Sequence, residues 1–356
     1  MRKWFVTGTS VALALTAVVV QPTFAEGEEE RVLEVGKWYP SLESGLQITQ
    51  SSYSDNWSGG DKGSIVWTAL INGNAERQVN DKFNSLSTLK LAYGQTQKQF
   101  VDQWGDRKWE HPEKSTDLVD LESIGRFTLD MVVDPFVGLR IETQFLDGSD
   151  PDGRTLIFNP IKIKESAGVA RVFIDEEERS LISRFGLAVR QTARRQYIVA
   201  STGDSNNPAT DSDTETEVTN DGGIELVTDF KNKIMNDRVA WTSKLTLFQP
   251  LFYSAQGEFD DITAEDFAAN PQLDSDIGDF TKLMDLDWEN IFTSQLTDIV
   301  SVNFYVRFVY DKYDTSVVPK FDEDGGLTNA AALRTATRKA GQFKQTMGLG
   351  LTYRFL

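Results

Sequence analysis

The sequence predicts an all-β chain, folded as a transmembrane up-and-down antiparallel β-barrel of about twelve strands with long extracellular loops and short periplasmic turns. Three observations predict it. From about Gly45 onward, apolar residues recur with period two and not 3.6. The connections between the alternating stretches are long and short by turns. The final stretch, ending at Leu356, alternates most cleanly.

Taken in order, Gly45–Ser52, Gly63–Ala75 and Phe83–Gln97 are alternating stretches with polar interruptions. Asp117–Met131 follows. Phe136–Leu146 then sets Val137, Leu139, Ile141 and Phe145 against Gly138, Arg140, Glu142 and Gln144. Ala167–Phe173, Ser180–Arg194, Gly223–Ile234, Ala240–Phe248 and Leu283–Leu296 continue the rhythm. Val300–Asp311 puts Val300, Val302, Phe304, Val306, Phe308 and Tyr310 on one face, with Ser301, Asn303, Tyr305 and Arg307 on the other. Phe343–Leu356 repeats the scheme and brings the strand count to an even number, as bacterial outer-membrane barrels have. The connections 53–62, 98–116, 148–165, 197–221, 254–282 and 313–342 are long, whereas 76–82, 132–136, 174–179, 235–238 and 297–299 are short. That alternation follows if every second connection faces the periplasm. Greek-key sandwiches mix loop lengths at both ends.

In lipid the backbone must be satisfied by neighbouring strands, so only a closed sheet can span. Its outer face must be apolar over about nine to eleven residues, and its inner face is free to be polar. The polar face here is charged. The candidate lumen-lining residues are Lys90, Asp120, Glu122, Arg126, Arg140, Glu142, Arg184, Arg190, Asp229, Lys244, Asp287, Glu289, Arg307 and Arg354, with Asp130, Glu225, Lys231 and Asp285 in the same pattern. Trp57, Trp67, Trp241, Trp288, Tyr93, Tyr310 and Tyr353 suit aromatic girdles at the two water–lipid boundaries.

The chain end carries its own signal. Thr346, Gly348, Leu351 and Tyr353 fit the pattern polar-x-Gly-x-x-hydrophobic-x-hydrophobic, followed by Arg354, Phe355 and Leu356. This resembles the terminal strand by which the barrel-assembly machinery recognises its clients, with the usual last aromatic displaced by one position. At the other end, Arg2 and Lys3, the apolar run Val11–Val20 and the small residues of Thr23-Phe24-Ala25 read as a secretory signal peptide over 1–25. A periplasmic tail over 26–40 and a barrel over 41–356 complete the organisation.

Composition narrows the function. The chain has 356 residues, a formal charge of −18 and a pI near 4.6, which excludes nucleic acid as a partner. It contains no Cys and one His, so disulfides, thiolate metal sites and multi-histidine zinc sites are excluded. No cofactor is expected. A mean hydropathy of −0.35 excludes a polytopic helical membrane protein.

Ser54-Asp55-Asn56-Trp57-Ser58-Gly59-Gly60, Leu70-Ile71-Asn72-Gly73 and Leu89-Lys90-Leu91-Ala92-Tyr93-Gly94 together resemble the opening of an uncharacterised family of exported barrel-like proteins, classed only as a domain of unknown function. The resemblance covers about the first third of the mature chain. It implies an envelope barrel and supplies no activity, ligand or catalytic residue.

The leading expectation is therefore a non-enzymatic outer-membrane barrel, a narrow passive channel or a structural envelope protein with a charged lumen. Its expected partners are outer-membrane lipid, the barrel-assembly machinery and small solutes or ions. Two alternatives stand beside it, a barrel hydrolase and a soluble periplasmic β-sandwich or lipocalin-like binder. For the hydrolase the sequence offers only His111, in the acidic loop segment Trp109–Glu113. The acidic runs Asp211–Glu217, Asp274–Asp279 and Phe321–Gly326 offer oxygens for calcium but lack the EF-hand spacing, and they read as solvated loops.

Overall fold

The computed structural model describes residues 33–51, 62–104, 106–129, 131–150, 153–176, 178–197, 214–338 and 340–354. The signal segment, most of the tail, the first long loop with Trp57 and Gly59-Gly60, Asp130, Asp211–Asp213, Phe355 and Leu356 lie outside these residues, as does the side chain of Arg354.

Period-two alternation makes strands, and the strands pair with their sequence neighbours. In chain order they are β1 (Trp38–Ser51), β2 (Ser64–Asn80), β3 (Phe83–Val101), β4 (Arg107–Trp109), β5 (Glu113–Phe127), β6 (Asp134–Thr143), β7 (Leu146–Asp147) and β8 (Leu156–Ile157). Then come β9 (Ile161–Asp175), β10 (Ser180–Tyr197), β11 (Thr214–Ile234), β12 (Val239–Tyr253), β13 (Asp285–Gln295), β14 (Val300–Tyr310) and β15 (Gln342–Arg354). Twelve of them close an antiparallel barrel in the order β1-β2-β3-β5-β6-β9-β10-β11-β12-β13-β14-β15, and β15 returns to β1 through Leu351 opposite Leu46. The expected fold class is the one observed. A two-layer sandwich is set aside, because the wall is a single closed sheet. The short strand β4 folds back on β3, and β7 and β8 form a separate small hairpin.

Register fixes the two faces. Leu139 and Leu187 point outward and are 44% and 64% exposed, whereas Asp120, three rungs from Leu139 and on the other face, is 5% exposed. At the outer surface towards the short-turn end, Trp241 stacks on Phe292 with centroids 5.7 Å apart, and Phe230 meets Trp241 edge-on at 4.8 Å. Towards the long-loop end, Trp67, Tyr93, Phe145 and Phe158 make a chain of ring contacts at 6.0 to 6.4 Å. Charge is not absent from the outer face: Glu165 is in register with Val189 and Leu139 and 3.4 Å from the Gln191 amide, and Arg171, opposite Ser183, lies on the same face nearer the short-turn end. Where β9 and β10 pass closely, a Cβ on Gly168 would lie 2.2 Å from the Phe185 carbonyl oxygen, so glycine is required there.

The structure departs from the sequence reading at strand ends. β1 starts at Trp38, inside the segment read as tail, because Pro40 at this edge breaks the expected alternation without breaking the pairing with Ala75. β9 starts at Ile161 and β11 at Thr214, so the connections read as 148–165 and 197–221 contribute wall. The two last long connections are not merely solvated. The first holds helices α1 (Gln256–Asp260), α2 (Ala264–Ala269) and α3 (Ile277–Phe280), and the second holds α4 (Ala330–Ala336). They share a hydrophobic core of their own around Leu333 (0% exposed), Ile277 and Tyr313, with Phe259 edge-on to Tyr313 at 5.3 Å.

Candidate functional site in the barrel lumen

The inward positions bring together residues far apart in sequence. Arg140 on β6 makes a bidentate contact with Asp120 on β5 at 2.8 and 3.0 Å, and also reaches Glu142 at 2.8 Å. Arg307 on β14 holds Asp287 on β13 in the same bidentate way at 2.8 and 2.6 Å. Glu289 accepts a hydrogen bond from the Tyr305 hydroxyl at 3.0 Å. Arg190 on β10 joins Asp221 at 2.5 Å to Asp285 at 2.7 Å, with its guanidinium stacked over Phe248 at 3.8 Å. Lys164 on β9 pairs with Glu225 on β11. Such bidentate pairs are the strongest ion contacts side chains make.

One cluster spans the lumen. Lys244 on β12 reaches Glu122 on β5 at 3.1 Å, between strands five places apart round the ring. Arg184 on β10 approaches the same carboxylate at 3.7 Å and holds Asp229 at 3.0 Å. This contact crosses the bore at its level. Below it lies a cavity of about 620 Å³ running to the short-turn rim, where Tyr39, Asn84, Arg126 and Ser180 sit at strand ends.

The predicted lumen residues therefore fall into three groups. Asp120, Glu122, Arg140, Glu142, Arg184, Arg190, Asp229, Lys244, Asp287, Glu289 and Arg307 are drawn into the pairs just described. Lys90 and Arg126 line the cavity and make no ion pair among the described residues. Arg354 stands opposite Glu43 in the β15–β1 register. Sequence reading missed Lys164 and Asp221, which lay in stretches taken as loops. The run Ile161-Lys162-Ile163-Lys164 already alternates, and that was the available signal.

At the long-loop end the helical cap is bonded to the wall. Asp314 and Ser316 of the second loop lie 3.9 and 3.1 Å from Arg194 on β10, and the Tyr253 hydroxyl donates to the Thr315 carbonyl at 2.8 Å. Ser316 is 3% exposed. The two loops are tied by Asp266, which accepts from the Leu327 amide at 2.9 Å and closes a capping box with Thr263. These hydrogen bonds hold the Asp266 carboxyl below the ordinary aspartate range, with the Leu327 amide the largest cause. In the run Phe321–Gly326, Asp322 spends an oxygen on the amides of Asp324 and Gly326 at 3.1 and 2.8 Å. Ile277, within the run Asp274–Asp279, is buried in the cap core. No cluster able to hold a metal ion occurs among the described residues. His111, between β4 and β5, is exposed.

Residues 48–148 match the model of a family described as protein of unknown function, DUF3078. No curated protein matches the chain. Among solved structures, the chain is similar to the β domain of the Bordetella autotransporter BrkA, with 10% identity, a TM-score of 0.32, and 89% of this chain and 98% of that one covered. It is similar also to an outer membrane channel from Pseudomonas putida F1, with 10% identity, a TM-score of 0.35, and 93% and 100% covered. A third is the NanC porin, with 9% identity, a TM-score of 0.30, and 89% and 100% covered.

Proposed function

We propose that this chain is a non-catalytic outer-membrane β-barrel whose bore, closed by paired charges and by a loop cap, passes at most a slender ion current. The observation that carries the reading is the closed single-layer wall with its apolar side outward and its charges inward. Even the shortest wall strand, β6 with 10 residues, has the length a tilted spanning strand needs. A lone outward Arg or Lys at mid-membrane would cost about 2 to 4 kcal/mol, and the inward placement avoids it. The signal-like segment and the terminal strand pattern support export and assembly in the outer envelope, with the short turns on the periplasmic side.

The test is planar-bilayer conductance of the full chain, beside Glu122→Gln and Lys244→Met. Wild type is expected to be silent or to pass small, brief currents. Loss of the cross-lumen pair is expected to raise open-channel conductance severalfold. A wild-type chain conducting like a wide porin would contradict the closed bore. A hydrolase would instead require activity that depends on His111, and the exposed position of this residue gives no support for one.

A further inference from the structure

The cavity beneath the charge cluster differs from the rest of the molecule. The chain carries a net −18, yet five basic and four acidic side chains line this space. Two of the basic groups stand apart from the ion-pair network. Lys90 faces Asp120 in the β3–β5 register, but both oxygens of Asp120 are taken by Arg140, and its neighbour on β2 is Asn72. Arg126 stands between Asn84 and Phe136, neither of them acidic. Lys90 is at the closed end of the cavity and Arg126 at the rim, six residues apart along the same pair of strands, or about 20 Å at the rise of a strand.

The walls between them are unlike each other. On β1–β3 the lining between them is mostly neutral and hydrogen-bonding, with Ser41, Asn72, Asn74 and Thr88, and its one acidic group, Glu76, accepts a hydrogen bond from the Asn84 amide at 3.1 Å. On β6, β9 and β10 it presents the apolar side chains Phe136, Ala170 and Ile182, between Ser180 at the rim and Arg184 at the charge cluster. β1 and β10 are six places apart in a ring of twelve and so lie opposite each other, whereas β6 is two places from β3. A volume of about 620 Å³ falls within the usual range of small-molecule pockets.

We infer that this half of the lumen is a binding cup for a small hydroxyl-rich organic anion, of which a sugar acid is the plainest example. Its carboxylate would be met by the ammonium of Lys90 or the guanidinium of Arg126. Its hydroxyls would be met by the amides and hydroxyls of the β1–β3 wall, and its carbon face by the apolar side chains of β6, β9 and β10. With the bore closed above it, as proposed, the cup is blind and ligand enters and leaves by the short-turn end. That this end faces the periplasm rests on the outer-membrane reading; the chemistry of the cup does not.

The experiment is calorimetric titration of the full chain in lipid nanodiscs with glucuronate and with glucose, which differ in the carboxylate. Glucuronate is expected to bind saturably, and glucose at least tenfold more weakly, the order of magnitude of one charge-assisted contact, about tenfold or more. Of Lys90→Met and Arg126→Met, the one that removes the carboxylate's partner is expected to weaken glucuronate by about tenfold and to leave glucose unchanged, and where that is Lys90, Lys90→Arg retains binding. Heat-modifiable gel migration checks that each variant is folded. Equal binding of the two sugars, no saturable binding by an inserted chain, or full binding by both Met variants would overturn the cup. Should the chain refuse nanodiscs and stay in water, the outer-membrane reading fails instead. The same titration on the water-soluble chain then judges the cup.

Discussion

At the scale of the residue, the barrel puts a few side chains in positions their chemistry barely tolerates. The β11–β12 turn carries three successive non-glycine residues in the left-handed region, Met235, Asn236 and Asp237, with φ of 57°, 56° and 63°. Asn and Asp accept this conformation through local hydrogen bonding, but Met pays a steric cost of about 1 kcal/mol or more. The Met235 side chain is 72% exposed, so little packing depends on it. Met235→Gly is expected to stabilise the barrel by about 1 kcal/mol in urea unfolding from lipid vesicles. A destabilised variant would instead show that Met235 anchors the turn in its surroundings. Lys90 and Arg126 are the opposite case, legible as inward residues from period two alone. What the sequence did not disclose is which charges find partners. That depends on strands five places apart meeting across a bore, as Lys244 and Glu122 do.

At the scale of the element, alternation located the wall strands but not their ends. β9 and β11 run further toward the long-loop end than expected, because Lys162, Lys164 and Thr214–Glu217 are as polar as loop residues while still alternating between the faces. The helices of the cap were not legible as helices. At four to seven residues each, they are too short to show a period of 3.6. One local signal was present, since Thr263-Ala264-Glu265-Asp266 is a capping-box pattern. The cap has a pH dependence of known sign. The folded-state pKa of Asp266 lies below its ordinary value, so its link to Leu327 and Thr263 stabilises the cap above about pH 4 and is lost as pH falls through the lower folded value. Hydrogen exchange at the Leu327 amide, corrected for intrinsic rate, is expected to be flat from pH 7 to 5 and to accelerate only below about pH 4. In Asp266→Asn the acceleration should vanish. An unchanged acid limb in that variant would place the titrating group elsewhere.

At the scale of the whole molecule, the account turns on what touches the outer face. The charged residues alone could not decide this from sequence, since a soluble barrel also has one polar and one apolar side. The decision comes from closure: a single sheet joined edge to edge has an interior too full of ion pairs to be a hydrophobic core, so its apolar side faces out. The absence of native cysteine makes a direct measurement possible, because any introduced thiol is unique. Single cysteines placed in turn from Val300 to Tyr310, spin-labelled in proteoliposomes, report relative access to oxygen dissolved in lipid and to a water-borne nickel chelate. The account predicts strict alternation, with Val302, Phe304, Val306 and Phe308 open to oxygen and shielded from nickel, and Ser301, Asn303 and Tyr305 shielded from lipid oxygen. Outward positions that meet nickel as freely as a surface loop would contradict it.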